Sequence, residues 1–310
     1  MIVVPVCVVV ALVEMAAPQF WTLPELQVWA TVFAAICLQA TPFIVLGALL
    51  AAVVASLPAG WPRRWLPRRD LFAVPLLGVA GTALPGCECG TVATAATMMQ
   101  HGVAVGPAIS FMLSAPSANP VVLAATAAAF PGQPAIVAAR FVAGLLTASV
   151  IGLLAARGGL GRPQLGVPEH RHAAADRRRW MIAVTSAANE LARSLGLLTI
   201  GAAAAASATV LIPADVLGNV GRHEVVGVLA LAALATVLCI CSQADAFVAR
   251  SFTGFSRTAQ FAFMVVGAAV DLKILALQAG AFGVRFSIRF AGVVFVVALA
   301  VAGGVSLVLL

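Results

Sequence analysis

"VGPAISFMLSAPSANPVVLAATAAAF" (residues 105–130) contains no charged side chain, yet Pro116, Asn119 and Pro120 stand at its middle. A helix needs about 20 apolar residues to cross a hydrocarbon core about 30 Å thick, and this run is long enough. Its centre cannot continue an ordinary helix, because proline lacks the N–H donor and its ring clashes with the preceding turn. The reading is a membrane span broken at mid-depth. Unwound backbone at that depth is tolerated only where protein surrounds it or a water-filled cavity borders it.

Outward from this stretch the pattern repeats. Further apolar runs cover 2–17, 26–57, 71–85, 134–156, 181–212, 223–240, 257–279 and 282–310. Of 310 residues, 62% are hydrophobic and 9% charged, against about 25% charged in a soluble domain. The runs are continuously apolar and lack the alternation of a membrane barrel. The fold class is therefore all-α and polytopic. Two less apolar pieces, 90–101 and 242–253, would span only about 18 Å as helices, so they read as re-entrant or short crossings. The count is about eight to eleven helices. The start, 2–17, lacks the positive n-region of a signal peptide and reads as a short first membrane helix.

The net charge of +7 is unevenly placed. Arginines gather in "WPRRWLPRRD" (61–70) and in "ARGGLGRPQLGVPEHRHAAADRRRW" (156–180). Such clusters mark the cytoplasmic side of a membrane protein, so the charge concerns topology and nucleic acid is not an expected partner. Trp21, Trp29, Trp61, Trp65 and Trp180 stand near the ends of apolar runs, as an interfacial belt does.

The chain also repeats itself. A shift of 152 residues lays Cys87 on Cys239, Cys89 on Cys241, Gly102 on Gly254, Phe111 on Phe263, Met112 on Met264 and Phe130 on Phe282, with Asn119 opposite Asp271. This divides the chain into an N-terminal membrane helix (1–25), a first membrane repeat (26–156), a basic cytoplasmic linker (157–180) and a second membrane repeat (181–310). The loop 58–70 holds four arginines, whereas "PADVLGNVGRHE" (213–224) holds one arginine and two acids. That contrast favours inverted repeats, an architecture common in secondary transporters; a parallel duplication stays open.

The chemistry concentrates at "PGCECG" (85–90) and "CSQADAF" (241–247). Pro85, Gly86 and Gly90 are expected to open the helix around Cys87 and Cys89, and a half-helix restarting near Thr91 puts Cys89 beside free backbone N–H groups. In the second motif Ser242 to Asp245 has the S-x-x-D form of a capping box. The break at 114–120 has its counterpart in "GAAVDLK" (267–273), which brings Asp271 and Lys273. The candidate substrate site is Cys87, Cys89, Cys239, Cys241, Asn119 and Asp271. Glu88, Asp245 and Asp271 are candidates for proton coupling, since acids within a bilayer are functional by default. Glu88 has Ile240 as its repeat counterpart and so stands outside the symmetric set. Cys7 and Cys37 read as small packing residues. Arg140 reads as a side chain snorkelling to an interface and is left out of the site. His170 and His172 read as solvated.

"PGCECG", "SFMLSAPSANP", "CSQADAF" and "FAFMVVGAAVDLKIL", in that order, resemble the bacterial predicted-permease family whose characterised branch exports trivalent organoarsenicals. The likeness spans roughly 35–310. It implies a multi-pass permease of the bacterial inner membrane, with Cys87, Cys89, Asn119, Cys241, Asp245 and Asp271 at motif positions. The chain departs from the family pattern in carrying Glu88 where a small residue usually stands, "TVATA" without the usual proline, and Gly267-Ala268 in place of Gly-Pro.

The expected function is efflux of a small thiophilic solute, because soft thiolates suit soft centres. A soft-metal-ion transporter, a membrane thiol–disulfide oxidoreductase and a non-transporting membrane subunit are the alternatives. No nucleotide-binding G-x-x-x-x-G-K-[ST] loop is present. The chain is expected to be no enzyme and to have no catalytic set, no resident metal and no cofactor. Lipids and the solute are its expected partners, with homo-oligomerisation left open.

Overall fold

The computed structural model describes residues 26–38, 69–83, 88–161 and 224–310, with single positions at 41, 45, 49, 67, 163, 164 and between 188 and 207. The N-terminal helix with Cys7, most of the linker with its two histidines, Cys87, and the side chain of Cys89 lie outside the described residues.

All regular structure among the described residues is helical, in an all-α polytopic membrane fold. The helices are α1 (Leu26–Leu38), α2 (Asp70–Thr82), α3 (Glu88–Gln100), α4 (Val105–Ala118), α5 (Pro120–Ala129) and α6 (Pro134–Ala156). Then follow α7 (Glu224–Leu238), α8 (Asp245–Ser251), α9 (Arg257–Ala269), α10 (Leu272–Phe282) and α11 (Val284–Leu309). Among the described residues, four helical stretches are long and apolar enough to cross a membrane: α4 with α5, α6, α9 with α10, and α11. By contrast α2 and α7 stop after 13 and 15 residues, just before the two Cys-x-Cys motifs.

Two of the four spans are broken in the middle, and in each a single polar residue manages the break. Asn119 is extended (φ −77°, ψ 159°); its Oδ1 accepts from Val122 N at 2.9 Å and its Nδ2 donates to Ala115 O at 2.7 Å. One side chain thus serves the end of α4 and the start of α5, where Pro120 needs no hydrogen-bond partner. Asp271 (φ −145°, ψ 169°) accepts in the same way from Ile274 N at the start of α10. The starts of α4 and α9 lie 152 residues apart, as do those of α5 and α10.

The two broken spans run in opposite directions. Gly106 approaches α6 so closely that a Cβ there would come within 2.6 Å of Gly152 O, which places the start of α4 beside the end of α6. Gln164 N donates to Phe282 O at 2.9 Å, which brings the end of α10 to that same face. At the opposite face the Arg250 guanidinium stands 5.7 Å over the Phe130 ring, near the start of α9. Helix α2 runs alongside α4, with Gly78 against Ser110 and Gly81 against Ser114. Arg69, Arg157, Arg285 and Arg289 therefore share one face, while Arg250 and Arg257 lie at the other.

Packing crosses between the halves reciprocally: α10 of the second half packs on α3 of the first, and α5 of the first on α8 of the second. Within the first half, α4 is clasped by α2 and α6, its small residues allowing backbones to approach as membrane helices require. This arrangement puts Glu88 and the second Cys-x-Cys motif in the interior between the halves.

Candidate functional site

Between Leu238 and Asp245 the chain is not helical. Cys239 takes a left-handed conformation (φ 50°) that non-glycine residues rarely adopt. The Cys241 carbonyl accepts from Ala244 N at 2.8 Å and Asp245 N at 3.0 Å, a turn that starts α8. Other backbone groups of the segment have no helical partner, and away from water each would cost a lost hydrogen bond.

Charged side chains supply the partners. Lys273 Nζ donates to Cys239 O at 3.5 Å, Ser242 N donates to Glu88 Oε1 at 3.3 Å, and Arg140 Nη2 donates to Ser242 O at 3.0 Å. The Arg140 fork also grips Asp245, with Nη1 to Oδ1 at 2.8 Å and Nη2 to Oδ2 at 2.6 Å, and Nη1 reaches Thr126 Oγ1 at 3.0 Å. Lys273 lies 3.4 Å from Asp271 Oδ2 and 3.7 Å from Glu88 Oε2. All five charged groups are at most 2% exposed. Burying single ions would cost far more than the fold can bear; here each has an opposite charge beside it.

Several sequence expectations need correction. Arg140 does not reach an interface; it is 1% exposed, because its fork has a carboxylate, a carbonyl and a hydroxyl around it. The expected capping box is not formed. Asp245 spends both carboxylate oxygens on Arg140, the N-cap position of α8 has no side-chain cap, and Ser242 Oγ has no hydrogen-bond partner. A bidentate, charge-assisted pair outcompetes a neutral cap. Glu88, though outside the symmetric set, stands in the middle of the cluster.

Of the remaining candidates, Asn119 is fully buried and caps α5. Cys239 and Cys241 are buried thiols without a disulfide. Cys239 Sγ donates to Thr236 O at 3.7 Å and Cys241 Sγ to Gln243 Oε1 at 3.1 Å. Among the described residues no group of three or more His, Cys, Asp or Glu side chains is placed to hold a metal ion. A cavity of about 380 Å³ opens elsewhere, at the basic face between Leu160, Gln164, Arg285 and Arg289; the charged cluster itself is closed from solvent. Sequence reasoning missed Arg140 and its contact Thr126. The available signal was a lone arginine in an otherwise apolar run, which by default marks an interior role.

Apolar spans packed around a buried charge cluster fit an integral-membrane permease. The chain belongs to the family described as predicted permease (ArsP_1), which it matches over residues 25–306. It is 30% identical over 279 residues to the UPF0718 protein YcgR of Bacillus subtilis, covering 88% of this chain and 94% of that one. It is 29% identical over 273 residues to a Streptococcus mutans protein named as a candidate subunit of a two-component membrane permease complex, covering 84% of this chain and 89% of that one. No solved structure matches the chain.

Proposed function

We propose that this chain exports a small thiophilic solute, with trivalent organoarsenicals as the substrate class, by alternating access of two inverted repeats in the bacterial inner membrane. One observation carries the reading: Glu88, which stands between Cys87 and Cys89, accepts from the backbone of Ser242, which directly follows Cys241. The contact sets Glu88, the residue before Cys89 in sequence, against the backbone beside the second Cys-x-Cys motif in the buried interior between the halves. The constant 152-residue spacing of the helix starts and the opposite directions of the broken spans support the repeat. The arginines gathered on one face support a cytoplasmic linker.

The chemistry balances without a redox partner. A methylarsonous solute, CH3As(OH)2, condenses with two thiols to CH3As(SR)2 and two waters, and the reverse reaction releases it. Cys87, Cys89, Cys239 and Cys241 are the proposed thiols. Glu88 and Asp271, which share Lys273, are the proposed route for a driving proton, whereas Asp245 is committed to Arg140. A transporter rather than an enzyme is the role that fits. The name of the Streptococcus relative makes a second membrane component the partner to look for, alongside a second copy of this chain.

The test is accumulation of methylated trivalent arsenic in arsenic-sensitive cells. Cells expressing the intact chain should accumulate less, and the effect should vanish in both Cys87→Ser/Cys89→Ser and Cys239→Ser/Cys241→Ser variants at equal expression. Unchanged accumulation with the intact chain refutes the substrate class.

A further inference from the structure

We propose that Arg140 is a positioning residue for the Cys239–Cys241 turn. Reaching over from the first half, it fixes the shape of the second half's sulfur pair and thereby sets the site's affinity for a soft ligand. This deepens the thiophilic reading above and rests on it.

The contacts of the guanidinium go beyond neutralising a charge. Any cation could balance Asp245, but only a planar fork reaches both carboxylate oxygens, the Ser242 carbonyl and Thr126 Oγ1 at once. Ser242 follows Cys241 directly, and its peptide groups are held from two sides: the N–H by Glu88 and the C=O by Arg140. Upstream, Lys273 holds the Cys239 carbonyl. The turn carrying both thiols is therefore pinned before Ile240 and after Cys241, and both cross-half pins, Glu88 and Arg140, come from the first half.

Stability alone does not account for the device. Replacing a buried ion pair by well-packed apolar residues is often neutral or stabilising, so folding does not demand a fork here. Nor is the device part of the duplication. The 152-residue shift puts Gly292 opposite Arg140, Ala93 opposite Asp245 and Val121 opposite Lys273. The sequence therefore holds no counterpart of this clamp at the shifted positions.

The experiment uses the full-length purified protein and two readings. The first is the alkylation rate of each cysteine by N-ethylmaleimide, resolved by peptide mass spectrometry and expressed as the Cys241 to Cys37 ratio. Cys37, partly exposed on α1, serves as the internal reference. The second is the affinity for phenylarsine oxide, an arsenical that takes two thiols, read from tryptophan fluorescence. Arg140→Lys keeps the charge opposite Asp245 and loses the fork. It should raise the ratio several-fold and weaken phenylarsine oxide about ten-fold, the loss of one charge-assisted hydrogen bond, with little change in melting temperature.

An unchanged ratio in folded Arg140→Lys protein overturns the proposal, as does a rise in Cys37 and Cys241 alkylation together, which would mark general loosening. If Arg140→Lys does not yield folded protein, Asp245→Asn is judged by the same two criteria. Failure of the unmodified protein to bind phenylarsine oxide sinks the thiophilic reading instead, and the alkylation ratio alone then decides whether Arg140 positions the turn.

Discussion

Glu88 and Ser242 meet at 3.3 Å across 154 residues of chain, carboxylate to backbone N–H. The residue dividing the first pair of cysteines thereby contacts the residue that directly follows the second pair. Glu88→Gln keeps an acceptor for the Ser242 N–H, while Glu88→Ala leaves that donor buried and unsatisfied. The alanine variant should lose about 1–3 kcal/mol of stability. The glutamine variant should lose clearly less while still impairing export through the missing charge opposite Lys273. Thermal unfolding in detergent beside cellular accumulation separates the two effects; equal stability of the two variants counts against the contact.

The Arg140–Asp245 pair should show strong coupling. Asp245→Leu alone leaves an uncompensated guanidinium, a loss of about 3–5 kcal/mol, and Arg140→Leu alone leaves the carboxylate. The double variant should be less destabilised than the sum of the two. A double-mutant cycle on unfolding midpoints gives the coupling, and strict additivity would argue that the pair is not formed.

At the broken spans, Asn119→Ala removes a cap acceptor and a donor together and should cost about 1–2 kcal/mol. Asp271→Asn keeps the cap on Ile274 N but gives up the charge beside Lys273. It should fold nearly as well as the parent and lose transport. An Asp271→Asn protein with full export would remove Asp271 from the proposed coupling route.

Glycines of α4 and α11 should respond oppositely to the same change. Gly106→Ala drives a methyl into Gly152 O and Ala156 and should lower the melting temperature. Gly292→Ala meets nothing within 4 Å on an exposed helix surface, so it should be neutral or stabilising by up to about 1 kcal/mol. Two parallel melting curves decide it.

Topology is open to direct labelling. Gln133 lies at the turn between α5 and α6, and Arg157 at the opposite end of α6. Gln133→Cys should react with an impermeant maleimide from outside intact cells, and Arg157→Cys only after permeabilisation. The reverse pattern would place the arginine-rich face outside.

The breaks in the spans were legible because their causes are local: Pro120 and a capping Asn119 or Asp271 act within four residues. The 152-residue spacing was legible too, since Phe111, Met112 and Phe130 are rare enough types to pair meaningfully. Arg140 was not. Its position, six residues into α6 or about 9 Å along the axis, suits either snorkelling or burial, and the partner that decides lies 105 residues further on. The 152-residue shift did not point to Arg140 and Glu88, because Gly292 and Ile240 stand opposite them. The capping box at Ser242–Asp245 failed for a related reason: a local pattern cannot register that a distant guanidinium claims the carboxylate.

The distance in sequence between Arg140 and Asp245 also sets an order of events during synthesis. At about 5–20 residues per second, the ribosome delivers Asp245 some 5–20 s after Arg140. For that interval the arginine belongs to a membrane segment whose counter-charge does not yet exist, with Thr126 as the one partner already made. The first half therefore enters the bilayer as an incomplete body, and arrival of the second half is the step that gives the arginine its carboxylate.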